Sequence, residues 1–195
     1  MVENPYQNFL ETPEEQKPQR NSTFRLFLEV LQTLALAVVL YFLIDLVIAR
    51  VRVENISMLP TLQPGEFVLV NKMAYQFGDF DRGDIVVFHY SEQEDYIKRV
   101  IGLPGDQIEI SNGEVRVNDQ LLAEPYISAA PQYNGSWEVP PDNLFVLGDN
   151  RNQSSDSHRW GYINEESVVG EAMVVYWPLD EFQILSQPVI VKANN

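Results

Sequence analysis

The chain has 195 residues, no cysteine, two histidines, and 28 acidic against 13 basic side chains, which gives a formal net charge of −15. The absence of cysteine excludes disulfides, thiolate nucleophiles and cysteine-ligated metal sites, and two histidines are too few for a zinc site built on three of them. Because a strongly acidic protein repels polyanions, we exclude nucleic acid as a partner.

The chain begins with a polar segment rich in Pro, Gln, Asn and Glu. Such a composition buries too little apolar surface to fold, so residues 1–23 are predicted to form a disordered tail.

An apolar segment follows and predicts a single transmembrane helix over residues 24–49. From Leu26 to Ile48 almost every residue is apolar, and roughly 23 helical residues span about 34 Å, enough for a hydrocarbon core. Two other interpretations are a buried globular helix, which Glu29, Gln32 and Asp45 favour, and a cleaved signal peptide, which would start nearer the N-terminus. Basic residues on the two sides of the segment favour a cytoplasmic N-terminus only weakly.

From residue 50 onward the pattern is typical of an antiparallel β domain, since short runs rich in Val, Ile, Phe and Tyr recur between turn residues. The predicted strands are Val51–Val53, Phe67–Asn71, Asp84–Tyr90, Tyr96–Ile101, Gln107–Ile110, Glu114–Val117, Leu144–Leu147 and Ala172–Trp177. Asn112-Gly113 predicts a tight hairpin turn. The proline-containing stretch Ala123–Asn143 predicts a loop or flap, and residues 107–143 together predict a hairpin with a small cap.

Two segments carry candidate catalytic groups. In ISMLPTL, residues 56–62, Ser57 is either an ordinary turn residue or a nucleophile, which would need a base and oxyanion donors nearby. In YIKRVIGLPGD, residues 96–106, strand alternation places Tyr96, Lys98 and Val100 on one face. Lys98 is then either a surface side chain or a desolvated amine, whose lowered pKa would suit a general base.

A third segment, GDNRNQSSDS at residues 148–157, is densely polar. A calcium loop is disfavoured, because Ser155 and Gly161 stand where the loop needs glycine and glutamate. A folded polar network fits better. A histidine triad with His89 or His158 as base is the competing catalytic scheme, but no serine lies in a Gly-x-Ser-x-Gly elbow.

Taken in order, the apolar helix and the motifs SMLPTL, RGDIVVF, YIKRVIGLPGD and GDNRNQSSDSHRWG resemble the bacterial type I signal peptidases. This family consists of membrane-bound Ser/Lys endopeptidases that remove signal peptides from exported proteins. The resemblance implies a mainly β catalytic domain over residues 50–195 outside the cytoplasm, with residues 1–23 in the cytoplasm. It implies a single span in the plasma membrane, with a thylakoid-type internal membrane left open. The implied partners are exported preproteins and the lipid bilayer, and neither a metal nor an organic cofactor is implied.

The resemblance also implies roles for individual residues. Ser57 matches the nucleophile, Lys98 the general base, and Ser154 the hydroxyl that hydrogen-bonds and orients that lysine. Asp156 matches the acid of the same motif. Arg99 and Asp149 match a supporting salt bridge. The family's small subsites for the residues at −1 and −3 correspond to Val53, Met58, Leu62, Tyr96 and Ile97, which implies cleavage after Ala-x-Ala type sequences.

Two positions depart from the family pattern. Asn55 stands where relatives carry a serine or glycine, and its amide could donate to the oxyanion. His158 stands where relatives often carry arginine, so a salt bridge to Asp156 would become a histidine contact or be lost. Two alternative functions remain: a catalytically silent membrane-anchored module of the same fold, and a self-cleaving repressor-type Ser/Lys peptidase, which the missing basic surface disfavours.

Overall fold

The computed structural model describes residues 22–185 and 190–191. Of the predicted disordered tail, residues 1–21 therefore lie outside the described residues, and Ser22 and Thr23 are the first residues of a helix. Contacts divide the chain into two units, residues 1–43 and residues 44–195.

Helix α1 spans Ser22–Val47. From Thr23 to Val47 it is long and apolar enough to cross a membrane, and its apolar side chains are exposed. The predicted helix extended to residue 49, but Ile48 and Ala49 belong to the first strand, because they pair with Asn71 and Val70. The last residues of the apolar run therefore belong to a β-strand and not to the helix.

The second unit is built mainly of antiparallel strands. Its described strands are β1 (Ile48–Arg52), β2 (Phe67–Asn71), β3 (Ile85–His89), β4 (Asp95–Gly102), β5 (Gln107–Ser111), β6 (Glu114–Val117), β7 (Gln120–Ala123), β8 (Gly135–Glu138), β9 (Asn143–Leu147), β10 (Ile163–Asn164), β11 (Val168–Trp177), β12 (Gln183–Ile184) and β13 (Ile190–Val191). Two short helices, α2 (Ala74–Phe77) and α3 (Ser157–Trp160), lie between them.

The described strands form two sheets. The larger one has the order β1-β2-β11-β3-β4-β9-β10, with β12 paired to β11, and the smaller one has the order β13-β7-β6-β5-β8. The mainly antiparallel β architecture is therefore confirmed. The segment predicted as a hairpin and small cap forms most of the second sheet, and the predicted loop Ala123–Asn143 contains β8, which pairs with β5.

Most of the predicted strands are confirmed. Phe67–Asn71 and Glu114–Val117 have the predicted bounds, and β11 begins four residues earlier than predicted. The hairpin turn is confirmed as well, since Asn112 and Gly113 have φ of 54° and 81°. Alternating apolar residues bounded by turn residues were sufficient to locate these elements.

A buried apolar cluster under the larger sheet anchors the turn that follows Ser57. Met58 and Leu62 are fully buried there and pack in one cluster with Val53, Val68 and Val70. Burying side chains of this size contributes roughly 1.5–3 kcal/mol each. The two buried side chains therefore anchor the turn to the core, and Ser57 directly precedes the first of them.

Candidate active site

Ser57 lies in the turn after β1, at a point where the chain is tied to the sheet. The Val53 N–H donates to Glu66 O and the Gly65 N–H donates to Val53 O, both at 2.8 Å. These bonds fix the entry into the turn, and Met58 fixes its exit by burial. Ser57 itself is 8% exposed, so its hydroxyl lies at the edge of solvent access rather than on an open surface.

Lys98 projects from β4, where it pairs with Val86 of β3. Its Nζ donates to Ser57 Oγ at 2.8 Å and to the Ile97 carbonyl at 2.9 Å, and the side chain is buried. Burial lowers the pKa of Lys98 to about 8, against a smaller opposing effect from the negative charges of Asp156 and Asp149. The amine is therefore partly neutral near neutral pH and able to accept a proton.

A cleft of about 450 Å³ opens above these two residues. Three of the five predicted subsite residues, Val53, Tyr96 and Ile97, line it, and so does Asn55. The other two, Met58 and Leu62, do not line it, because they are fully buried in the apolar cluster below. The other residues that line the cleft are Val51, Arg52, Glu54, Ile56, Ser57, Val87, Asp95, Lys98, Gln153 and Ser155.

One wall of the cleft is a strand with an open side. β4 pairs with β3 from Asp95 to Arg99, whereas its pairing with β9 starts only at Arg99. Val100 exchanges hydrogen bonds with Gly83 and Asp84 on the β3 side. Because backbone groups of successive residues alternate in direction, the N–H and C=O of Ile97 face the open side. An extended peptide can add to the sheet at this position.

Ser154 is buried close to the pair, but it does not make the expected contact. Among the described residues its Oγ has no hydrogen-bond partner, so the predicted hydrogen bond to Lys98 is absent. The physical reason is that Lys98 Nζ is turned toward Ser57 and the Ile97 carbonyl. Ser154 instead packs against Gly148.

Gly148 is a residue of the site that the sequence analysis did not single out. A Cβ at this position would lie 2.3 Å from Ser154 Oγ and 2.5 Å from the Ser57 carbonyl oxygen. Only glycine allows the two segments to approach this closely. The sole signal in the sequence was its place at the end of a buried strand, directly before a polar run.

Asp156 is fully buried and organises the same loop. It accepts hydrogen bonds from the Gly148 N–H at 2.9 Å and from His158 Nδ1 at 2.5 Å. The Arg159 Nε donates to His158 Nε2 at 3.2 Å, so Nδ1 carries the proton that bonds to Asp156. The histidine ring stacks on Tyr133 with centroids 3.9 Å apart. Of the two expected outcomes for this position, a histidine contact to Asp156 or no contact, the structure shows the contact.

The expected ion pair between Arg99 and Asp149 is present and has no exposed surface. It is bidentate, with Nε–Oδ1 at 2.8 Å and Nη2–Oδ2 at 2.7 Å. Thr61 Oγ1 donates to Asp149 Oδ2 at 2.5 Å. Thr61 lies four residues after Ser57, in the same turn, and Arg99 is the residue after Lys98. Asp149 therefore links the turn that contains the serine to the strand that contains the lysine.

The histidine scheme has no geometric support in the described contacts. His89 Nδ1 pairs with Asp95 at 2.6 Å on the surface, and His158 pairs with Asp156. The described partner of the Ser57 hydroxyl is Lys98. Among the residues that the structure describes, no group of three or more His, Asp or Glu side chains is arranged to hold a metal ion.

Comparison with known proteins gives a consistent assignment. A family model described as "Signal peptidase, peptidase S26" matches residues 27–177. Signal peptidase I of Leptolyngbya laminosa is 42% identical over 83% of this chain and 85% of its own length, and signal peptidase I of Bacillus caldolyticus is 41% identical over 67% and 80%. A crystal structure of a signal peptidase I from Enterococcus faecalis has a TM-score of 0.46 at 28% identity and covers 49% of this chain and 98% of that one. The chain therefore belongs to the signal peptidase family, peptidase S26, the serine peptidases that remove signal peptides.

Proposed function

We propose that this protein is a membrane-anchored endopeptidase that removes signal peptides from exported preproteins with Ser57 as nucleophile and Lys98 as general base. The observation that carries the proposal is the 2.8 Å contact between Lys98 Nζ and Ser57 Oγ at the floor of the cleft. A buried lysine with a pKa lowered to about 8 is suited to take a proton from a hydroxyl.

The first step forms an acyl-enzyme. With Lys98 neutral, the Ser57 hydroxyl donates to Nζ, and the proton moves to the amine as Oγ bonds to the scissile carbonyl carbon. The π electrons of the carbonyl move to its oxygen and form an oxyanion. The carbon–nitrogen bond then breaks, and the Lys98 ammonium protonates the leaving amine, which is the new N-terminus of the mature protein.

The second step hydrolyses the acyl-enzyme. Neutral Lys98 takes a proton from water while the water oxygen bonds to the acyl carbon. When this second oxyanion collapses, the bond to Ser57 Oγ breaks and Lys98 returns the proton to the serine. The signal peptide leaves as a carboxylic acid, which releases its proton to the solvent and becomes a carboxylate, and the enzyme is restored.

The oxyanion needs donors in both steps. The Ser57 N–H makes no hydrogen bond to a described residue, so it is free to donate. Asn55 is exposed and lines the cleft, and its amide would supply a second donor. We expect Asn55→Ala to lower kcat by roughly 10- to 1,000-fold, at or below the usual loss for one such donor. A wild-type kcat in this variant would remove Asn55 from the oxyanion hole.

The cleft also supports a substrate class. The open side of β4 at Ile97 receives an extended peptide, and its walls at Val53, Val87 and Ile97 are aliphatic. We expect small side chains next to Ser57, and hence cleavage after Ala-x-Ala type sequences, as the family resemblance implies. Such sites follow the apolar segment of a signal peptide.

Membrane attachment has two elements. Helix α1 would cross the bilayer once, with the N-terminus in the cytoplasm and residues 50–195 on the other side of a plasma membrane or thylakoid-type membrane. The catalytic unit also exposes four large apolar side chains close together in sequence, Trp177, Leu179, Phe182 and Ile184. The pairing of β12 with β11 places Ile184 opposite Val174. We propose that the four side chains form one apolar surface that lies against the lipid.

The test is cleavage of a purified preprotein by the full chain in detergent, with the new N-terminus read by mass spectrometry. Ser57→Ala, Lys98→Ala and Lys98→Arg should be inactive, the last because a guanidinium cannot be deprotonated. Ser111→Ala and Lys72→Ala are matched controls, since neither residue lines the cleft, and they should cleave normally. Full activity of Lys98→Ala would place the base elsewhere.

A serine-directed acylating inhibitor separates this function from that of a silent binding module. Stoichiometric labelling of Ser57 in the wild type, lost in Ser57→Ala and strongly slowed in Lys98→Ala, is expected for an active dyad. A protein that binds signal peptides but is never labelled would instead be a binding module.

A further inference from the structure

Asn150 contacts the turn of the nucleophile at two points. Its backbone N–H donates to the Ser57 carbonyl at 3.0 Å, and its side-chain Nδ2 donates to the Ile56 carbonyl at 3.1 Å. The two bonds grip the peptide groups on both sides of the serine. Neither the mechanism above nor the sequence analysis uses this residue.

The bond to Ile56 has a geometric consequence. The Ile56 carbonyl and the Ser57 N–H belong to one planar trans peptide group, in which the C=O and N–H bonds point in opposite directions. Holding the carbonyl therefore also sets the direction of the Ser57 N–H. That N–H is the backbone donor proposed for the oxyanion.

Packing does not hold this peptide group. Glu54, Asn55 and Ile56 are all exposed, and the Ile56 side chain is 45% exposed. Besides the Asn150 amide, the Ile56 carbonyl accepts one bond, from the Leu59 N–H at 3.2 Å within the same turn. Asn150 supplies the tie to a different segment of the fold.

Asn150 is itself well placed to act as a fixed point. It follows Asp149, which is fully buried in the ion pair with Arg99. The Asn150 carbonyl accepts a bond from the Gln153 N–H at 3.0 Å, which closes a 3₁₀ turn over Arg151–Gln153. The donor that grips Ile56 thus projects from one of the most constrained backbone segments of the site.

We infer that Asn150 is a positioning residue whose side-chain amide aims the Ser57 N–H at the oxyanion. The inference rests on the proposed function, because it requires Ser57 to be the nucleophile. Asn150 makes no described contact with Lys98, so its effect is on the stabilisation of the tetrahedral intermediate and not on the protonation of the base.

Two variants of the full chain test the inference. Asn150→Asp replaces the Nδ2 donor with an oxygen that repels the Ile56 carbonyl, and Asn150→Ala removes the side chain while the backbone bond to Ser57 remains. In both, we expect kcat to fall by about 10- to 100-fold, less than or equal to the loss of an oxyanion donor itself. KM should stay unchanged in both variants. The midpoint of the pH–rate profile should stay unchanged in Asn150→Ala, whereas the added negative charge of Asn150→Asp favours protonated Lys98 and moves that midpoint upward.

The decisive readout is a peptide aldehyde with an Ala-x-Ala sequence. Ser57 adds to its carbonyl, and the resulting oxygen occupies the oxyanion position. Its affinity should fall by the same factor as kcat/KM, whereas the affinity of an uncleavable peptide of the same sequence should not change. Asn152→Asp is the matched control, because Asn152 bonds to Ala130 and Gln132 instead of the serine turn, and it should behave as wild type.

The inference is wrong if both Asn150 variants retain wild-type kcat, if kcat falls while aldehyde affinity is unchanged, or if the pH midpoint moves in the uncharged variant Asn150→Ala. If a measurement of the melting temperature shows that Asn150→Asp is not folded, the kinetics of Asn150→Ala alone test the inference. Failure of the proposed function has a separate signature, namely cleavage by Ser57→Ala or absence of Ser57 labelling in the wild type.

Discussion

Lys98 and Ser57 meet inside the protein, with Nζ and Oγ 2.8 Å apart although 41 residues separate them in the chain. The lysine lies on a regular strand and the serine in a turn whose next residue is buried. The base is therefore held by a rigid element, and the nucleophile is brought to it. This arrangement keeps the amine out of water, which is what lowers its pKa.

The first prediction concerns the pH dependence of cleavage. Because Lys98 must be neutral to act and its pKa is lowered to about 8, kcat/KM should rise with pH and reach half its maximum near pH 8. The measurement is the initial rate at low substrate concentration between pH 6 and pH 10. His89→Gln should show the same profile, since His89 is paired on the surface. A profile that is flat over this range would contradict Lys98 as the base.

The second prediction concerns stability. The folded protein favours neutral Lys98, whereas the unfolded chain stays protonated up to about pH 10.5, so burial of this lysine lowers stability most below pH 8. Lys98→Met should therefore be more stable than wild type at pH 7, by on the order of 3 kcal/mol at most. The advantage should shrink as the pH rises from 8 toward 10.5. Urea unfolding at several pH values measures it, and a constant difference would contradict the lowered pKa.

The third prediction concerns the buried ion pair. Asp149→Asn leaves the Arg99 guanidinium charged, fully buried and without its carboxylate, which should cost about 3–5 kcal/mol of folding free energy. The double variant Arg99→Met with Asp149→Leu should recover much of that loss. Glu114→Gln breaks an exposed pair with Arg116 and is the control, with an expected change under about 1 kcal/mol. Equal losses for Asp149→Asn and Glu114→Gln would contradict the argument.

The fourth prediction concerns Gly148. Gly148→Ala introduces a Cβ that must displace Ser154 or the Ser57 carbonyl, so kcat should fall by about 100-fold for a shift near 1 Å. Gly105→Ala is the control, because the space around Gly105 is open, although its positive φ lowers stability somewhat. Adding Ser154→Ala to Gly148→Ala should recover part of the activity if Ser154 is the side that moves. Normal turnover by Gly148→Ala would show that the segments are less tightly apposed.

The fifth prediction concerns the apolar surface around Trp177. In lipid nanodiscs that contain brominated acyl chains, the tryptophan fluorescence of the full chain should be quenched, because a Trp177 ring in contact with lipid meets bromine directly. Trp177→Phe should lose most of that quenching. Trp137→Phe should not, since Trp137 packs on Phe145 within the protein. Unchanged quenching in Trp177→Phe would contradict lipid contact at this surface.

Sequence patterns predicted the strands well where local residues decide the structure. β2 and β6 have alternating apolar residues and clear turn residues at their ends, and both have the predicted bounds. Two errors have a common physical cause. Ile48 and Ala49 continue the apolar run of α1, and β8 has Trp137 as its one large apolar residue, so in both cases pairing with a distant strand decides the conformation.

The site was predictable to a similar extent. Motif order identified Ser57, Lys98, Arg99 and Asp149, which the fold brings together. The directions of Met58, Leu62 and the Ser154 hydroxyl were not predictable, because these residues lie in turns and loops, where no periodicity relates position in the chain to the face of the molecule.

The open side of β4 also affects how the protein behaves toward other copies of itself. Unpaired strand edges attract any extended chain and are a common route to aggregation. Here the open segment begins next to Glu92, Glu94 and Asp95, which are all exposed. Two copies that aligned these edges would bring like charges together. We therefore expect that two copies do not pair through this edge, and that it stays free for a substrate even at high protein density in the membrane.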